Sequence, residues 1–231
     1  MPKRKQNTWK EQFQKLNPPI KACKICFKKI ETTDFCRLFD SKVCICANCQ
    51  QSLEPKFIHF KVDHYKALAI YEYNEFIKKQ IYLFKGCFDY EMKAVFLNLF
   101  FKEIGTLFKG YKMIPIPSYE EDDKIRGFNQ VIEAFESLGL KMLKILEKTA
   151  HHKQATKGAK NRKEIIKYLS IKEPVNLTKE KVLLVDDIYT TGSTMKTALN
   201  LVEKLHPKEI RILVLAKTKP KSDDKSNTNN F

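Results

Sequence analysis

Thirteen consecutive residues, Val182-Leu183-Leu184-Val185-Asp186-Asp187-Ile188-Tyr189-Thr190-Thr191-Gly192-Ser193-Thr194, restrict this chain more than any other feature of it. Four apolar residues without a polar break read as a strand buried on both faces, the kind found inside a parallel sheet. Two carboxylates follow at its C-terminal end, the edge where open α/β sheets bind ligands. A short turn of hydroxyl side chains and one glycine then leads into a helix, whose first backbone N–H groups and dipole favour an anion. Carboxylates accept from a diol and the turn cradles a phosphate, so a phosphorylated sugar matches both halves. A capped strand–turn–helix with solvated aspartates is the plainer alternative, and a short DD or TTGS string alone would not exclude it.

The flanking pattern supports an α/β architecture. Residues 67–71 read as a strand and 74–83 as a short helix ending before Lys85-Gly86. Across 89–108, Phe96, Leu99, Phe100, Ile104, Leu107 and Phe108 recur every three or four residues, which predicts one amphipathic helix. The run 113–117 reads as a buried strand closed by prolines, 120–126 as a charged loop, and 129–138 as a helix with Gly139 at its C-cap. Residues 142–146 fit strand or helix. The basic stretch 151–167 has little apolar pattern and reads as a mobile loop. A helix over 193–205 and a strand over 210–216 complete the series. Strands alternating with helices imply βαβ units and a parallel sheet flanked by helices.

Seven cysteines are present, and Cys23, Cys26, Cys36, Cys44, Cys46 and Cys49 crowd into one segment. The chain has no secretory pattern and no apolar run long enough to span a bilayer, so the expected compartment is cytoplasmic, without membrane insertion. In that compartment clustered cysteines indicate metal rather than disulfides. Cys23-x-x-Cys26 and Cys46-x-x-Cys49 form two turns that can bring four thiolates around one zinc ion, a closed structural site. Cys44 could replace a ligand or lie in the core; Cys46 is favoured because it makes the CxxC turn. A dithiol redox switch is the alternative. Cys87 reads as an ordinary buried or half-exposed thiol, and His59, His64, His151 and His152 as structural or solvated side chains. The chain divides into a basic arm (1–19), a zinc-binding module (20–60), an α/β domain (61–219) and a disordered tail (220–231). A formal net charge of +16 favours polyanions.

The segment 182–194 resembles the phosphoribosyl pyrophosphate (PRPP) signature of type I phosphoribosyltransferases. The resemblance implies that Asp186 and Asp187 hydrogen-bond the ribose hydroxyls and serve the chemistry. It implies that Thr190, Thr191, Gly192, Ser193 and Thr194, with the Tyr189 backbone, hold the 5-phosphate. Mg²⁺ would bind the pyrophosphate and ribose oxygens. A wider resemblance orders CxxC, CxxC, Lys85-Gly86, Pro115-Ile116-Pro117, Arg126-Gly127-Phe128-Asn129-Gln130, Gln154 and Arg162 ahead of that signature. This order is similar to the ComF family of bacterial competence proteins, associated with uptake of transforming DNA. Lys85-Gly86 then corresponds to the pyrophosphate loop, and Arg126 to a second phosphate contact. The family usually shows an asparagine three residues after Arg162; Ile165 stands here.

Three functions remain open on the sequence. The chain transfers phosphoribosyl from PRPP to an unnamed acceptor. Alternatively it binds single-stranded DNA through Lys3-Arg4-Lys5, Lys28-Lys29, Lys78-Lys79 and the 153–167 lysines, with Phe57, Phe60 and Tyr65 as stacking candidates or core residues. In the third, it senses PRPP without turnover and docks on competence-machinery proteins. The first two are compatible.

Overall fold

A computed structural model describes residues 22–30, 44–148, 169–173 and 175–219. The basic arm, Cys36, the two histidines and lysines of the 151–167 loop, Gln154, Arg162 and the tail lie outside the described residues.

The element order is α1 (Ala47–Leu53), β1 (Ile58–Val62), β2 (Tyr65–Glu72), α2 (Glu75–Gly86), a 3-10 turn (Tyr90–Met92), α3 (Lys93–Leu97), α4 (Phe101–Leu107) and β3 (Tyr111–Pro115). Then come α5 (Glu120–Arg126), α6 (Gln130–Phe135), β4 (Leu146–Lys148), β5 (Leu169–Ile171), β6 (Lys181–Tyr189), α7 (Ser193–Glu203) and β7 (Glu209–Lys217). One sheet has the order β1-β2-β7-β6-β3. Its pairs are parallel except β1–β2, which is an antiparallel hairpin at one edge. β4 and β5 form a separate antiparallel pair.

The apolar run 182–185 is fully buried, as expected of an interior strand covered on both faces. Side chains along β6 and β7 alternate between two cores. Leu183, Val185, Leu213 and Leu215 face one; Val182, Leu184, Ile212 and Val214 face the other. On the first face α2 contributes Ile77, Ile81 and Phe84, and α6 contributes Val131, Ala134 and Phe135. On the second, α7 contributes Met195, Ala198, Leu199 and Val202, spaced three and four apart. Each fully buried side chain of this size contributes roughly 1.5–3 kcal/mol.

Four local expectations change. Helix α2 runs through Lys85 and Gly86 because Phe84, 2 % exposed, anchors its last turn in the core. The apolar face predicted over 89–108 is split into the 3-10 turn, α3 and α4. At the break, Tyr71 donates its hydroxyl to the Phe96 carbonyl at 2.7 Å, and Phe100 leaves helical geometry with φ −135°. Segment 120–126 is a helix, not a loop: four acids stand in its first turn, Lys124 and Arg126 in its last, and Gly127 closes it at φ 81°. The chain from 141 to 143 follows β3, bonding to both the N–H and the carbonyl of Met113 at 2.8 Å. No helix among the described residues is long and apolar enough to cross a membrane.

The cysteine segment packs on the same core. Cys23, Ile30, Cys44, Ile45, Cys49 and Leu53 are continuous with the α2–α3 cluster. Strand β1 begins at Ile58, so the main sheet already includes residues assigned from sequence to the module.

Candidate functional site

Strand β6 carries Asp186 and Asp187 to the C-terminal edge of the sheet, between β7 and β3. Both backbone N–H groups just after a carboxylate fold back onto it: Asp187 N–H donates to Asp186 Oδ1 at 2.8 Å, and Ile188 N–H donates to Asp187 Oδ1 at 2.7 Å. The other oxygen of Asp187 accepts from Lys85 Nζ at 3.1 Å and Gln130 Nε2 at 3.4 Å. These contacts separate two neighbouring acids. Burial, then the charge of Asp187, pushes Asp186 well above the ordinary aspartate range. Burial pushes Asp187 the same way, but Lys85, the Ile188 N–H and Gln130 together outweigh it and hold that carboxyl low. Asp187 in turn raises Lys85.

After Tyr189 the chain turns through exposed Thr190 and Thr191 into Gly192, the N-cap of α7, at φ 76°. A Cβ on Gly192 would collide with the Tyr189 ring, so both the backbone angle and the space require glycine here. Thr191 Oγ1 and Ser193 Oγ lie 3.1 Å apart and no side chain caps the helix. The first N–H groups of an eleven-residue helix therefore point outward beside two hydroxyls. The turn is braced from behind. Phe60 packs on the Tyr189 ring at 4.8 Å, Thr218 N–H donates to the Tyr189 carbonyl at 3.0 Å, and Lys196 pairs with Asp63 at 2.7 Å.

Lys85 and Gly86 reach this edge from the end of α2. They line a cavity of about 530 Å³ with Tyr73, Lys78, Tyr82 and Ile188. Arg126, expected to face a phosphate, instead points inward with its side chain 5 % exposed. It donates to Asp123 Oδ1 at 2.9 Å, to the Lys85 carbonyl at 3.0 Å and to Gln130 Oε1. Gln130 touches the acid pair, although the sequence reading names it only as the last residue of the Arg-Gly-Phe-Asn-Gln string and gives it no site role. A signal for it exists: one residue after the N-cap Asn129, it shares a helical face with Ala134 in an otherwise apolar stripe.

The second cluster is sulfur. The Sγ atoms of Cys23, Cys26, Cys46 and Cys49 all lie within 4.8 Å of one another, a set that could hold a metal ion. A tight turn, with Phe27 N–H donating to the Cys23 carbonyl at 2.8 Å, presents the first pair; the start of α1 presents the second. Cys44 is outside the set. It donates to the Ala94 carbonyl at 3.6 Å, and burial pushes its thiol up to about 11. Cys87 is exposed, and neither His59 nor His64 joins the group. Of the stacking candidates, Phe57 packs on Phe100 at 5.3 Å, Phe60 on Tyr189 at 4.8 Å and Tyr65 on His64 at 3.9 Å; Phe27, which is not among them, is 75 % exposed.

Comparison with known proteins bears on the family of the chain. The model of the phosphoribosyl transferase domain family matches residues 128–230. The competence protein ComFC of Streptococcus pneumoniae is 32 % identical over 149 residues, covering 64 % of this chain and 67 % of that protein. The bifunctional protein PyrR of Bacillus cereus is 37 % identical over 71 residues, 30 % of this chain and 38 % of that protein. Among solved structures, a hypoxanthine phosphoribosyltransferase from Staphylococcus aureus superimposes with TM-score 0.34 at 13 % identity, covering 56 % of this chain and 76 % of that one. A purine phosphoribosyltransferase from Pyrococcus horikoshii gives TM-score 0.32 at 20 % identity, with 51 % and 77 % covered. The fold assignment rests on the family match and the strand order. With its four-cysteine cluster and type I phosphoribosyltransferase fold, the chain belongs to the ComF family.

Proposed function

We propose that this chain binds PRPP with Mg²⁺ and transfers its phosphoribosyl group to an acceptor, within natural competence and DNA uptake. The observation that carries the reading is the acid pair on β6 followed directly by the Gly192 turn and an uncapped helix start. Asp186 and Asp187 accept from the ribose diol. Tyr189, Thr190, Thr191, Gly192, Ser193 and Thr194 hold the 5-phosphate through hydroxyls and backbone N–H groups. Lys85 and Gly86 face the pyrophosphate end, and Lys85 supplies a cation there once it leaves Asp187.

The donor set suits a hard divalent ion: the diol-facing groups are carboxylate oxygens, and magnesium binds through one or two carboxylates and substrate phosphates. Bound there, Mg²⁺ would neutralise charge on the departing pyrophosphate. In the transfer, the bond from ribose C1 to the pyrophosphate oxygen breaks with its electron pair. A bond from C1 to the acceptor nucleophile forms, and the acceptor loses a proton to solvent or pyrophosphate. The chain's own contribution is orientation and charge placement. The cavity beside Lys85 and Ile188 gives an acceptor a route to that edge.

For the cysteines we propose structural zinc. A tetrahedral ion with bonds of about 2.3 Å separates its sulfurs by roughly 3.8 Å; Cys26 and Cys46 stand 3.7 Å apart. Four protein sulfurs leave no position for chemistry.

A second reading, single-stranded DNA binding, draws on the +16 charge and on exposed Lys28, Lys29, Lys78 and Lys79. The transfer reading is tested by PRPP-dependent pyrophosphate release across a panel of bases and amines. Release that requires an acceptor supports it. PRPP binding without release from any acceptor leaves a sensor, and a salt-sensitive shift of single-stranded DNA supports the second reading.

A further inference from the structure

We infer that Gln130 and Arg126 are positioning residues for Asp187: Gln130 aims the carboxylate and Arg126 locks Gln130. The inference rests on the reading of Asp187 as the diol-binding acid.

Gln130 is 4 % exposed and its amide bridges two charged groups, with Nε2 3.4 Å from Asp187 Oδ2 and Oε1 accepting from Arg126 Nη1. A guanidinium can only donate, so the amide oxygen must face Arg126 and the NH₂ must face the carboxylate. Arg126 thereby fixes which way Gln130 points. Its Nε holds the Lys85 carbonyl at 3.0 Å, so one side chain secures both the helix end that delivers Lys85 and the amide that meets Asp187.

Arg126 is itself immobilised. Asp123 Oδ1 accepts from it at 2.9 Å, and Asp123 is held by Asn129 Nδ2 at 2.7 Å and by Ser118. The neighbouring Phe128 stacks on Phe84 at 5.3 Å. A contact from Arg126 to a ligand phosphate would dismantle this set. By contrast Lys85, the other side-chain partner of Asp187, is 46 % exposed, and among the described residues no hydrogen bond besides the one to Asp187 is seen at its ammonium. The carboxylate thus has one exchangeable partner and one fixed partner. Each member of the Arg-Gly-Phe-Asn-Gln string then has a structural role. The arginine ends α5, the glycine turns left-handed, the phenylalanine packs, the asparagine caps α6 and the glutamine is buried against the acid.

The test uses Gln130→Met, similar in size but unable to donate, and Arg126→Lys, which keeps charge and loses the fork. Ala134→Gly loosens α6 without touching Asp187 and serves as the control. Two readouts are taken on metal-loaded protein: the pH titration of the Asp187 side-chain carboxyl carbon by NMR, and calorimetry with Mg·PRPP. Lys85 and Asp186 are the other titratable groups facing that carboxyl. Positioning predicts that both variants move the Asp187 titration to higher pH and weaken Mg·PRPP by about tenfold, while Ala134→Gly moves neither. An unmoved titration in Gln130→Met, or an equal shift in the control, overturns the inference. If the wild type does not bind Mg·PRPP, the functional reading fails, and the carboxyl titration still decides the positioning role.

Discussion

The sulfur cluster and the acid pair are assembled on opposite plans. The four thiols come from a short turn and one helix start, and the segments that carry them contribute few apolar side chains of their own. Ile30, Ile45 and Leu53 seat these segments on the core, and a shared ion would tie the two pairs to each other. The acids sit on an interior strand bonded on both sides, so the sheet positions them without help from a ligand. One cluster, loaded as proposed, would be a stabilising element with no open position. The other sets two carboxyls beside one another, Asp186 at a cost to stability and Asp187 offset by its partners.

Metal removal should divide the two regions most sharply. Structural zinc contributes apparent free energies on the order of 10 kcal/mol. Chelation is expected to raise hydrogen exchange over residues 22–30 and 44–53 while β6 and β7 stay protected. Because the module shares a core with α2 and α3, the melting temperature should also fall. Equal protection with and without chelator would break the contrast.

Gly192→Ala should come next, costing about 1–3 kcal/mol through a positive φ and the clash with Tyr189. Thermal melts measure the cost, and the damage should also appear as weaker phosphate binding. An alanine variant as stable as the wild type would mean the turn is not braced by that ring.

The acids should show opposite pH signatures. Asp186 is raised above its unfolded value, so it costs stability at neutral pH, and that cost is relieved as pH falls toward the ordinary aspartate range. Asp186→Asn should therefore raise the melting temperature at neutral pH, with the gain shrinking on acidification. Asp187 is depressed; its contribution is full above the ordinary range and is lost as pH falls through the lowered value. Asp187→Asn should lower the melting temperature near neutrality. Shifts of the same sign would show that Lys85 does not separate the pair.

The smallest effect lies at the seam between the regions. Tyr71 on β2 holds the Phe96 carbonyl, and α3 also supplies the Ala94 carbonyl that receives Cys44. Tyr71→Phe leaves a buried carbonyl unmatched and should cost about 1 kcal/mol in urea melts.

How much of this the sequence discloses follows from the range of the interactions. Residues 182–194 announce strand, acids and turn because each depends on its neighbours alone. The CxxC pairs are legible for the same reason, and Cys46 could be preferred over Cys44 on spacing. Helix α5 escapes a pattern search because it buries no apolar side chain; charge placement and Gly127 make it. The break before α4 comes from Tyr71, twenty-five residues away from the carbonyl it takes. Arg126 reads as a phosphate contact through the family resemblance alone, and the string does not reveal its bonds to Lys85, 41 residues earlier, and to Gln130. Local chemistry can be read from a string, whereas support from distant elements cannot.

The most direct measurement is calorimetry of PRPP with Mg²⁺ on the metal-loaded wild type and on Asp186→Ala/Asp187→Ala. Binding by the wild type that disappears in a folded double variant is the predicted result. No binding by the folded wild type, or equal binding by both proteins, would contradict the assignment of the β6 edge as a phosphoribosyl site.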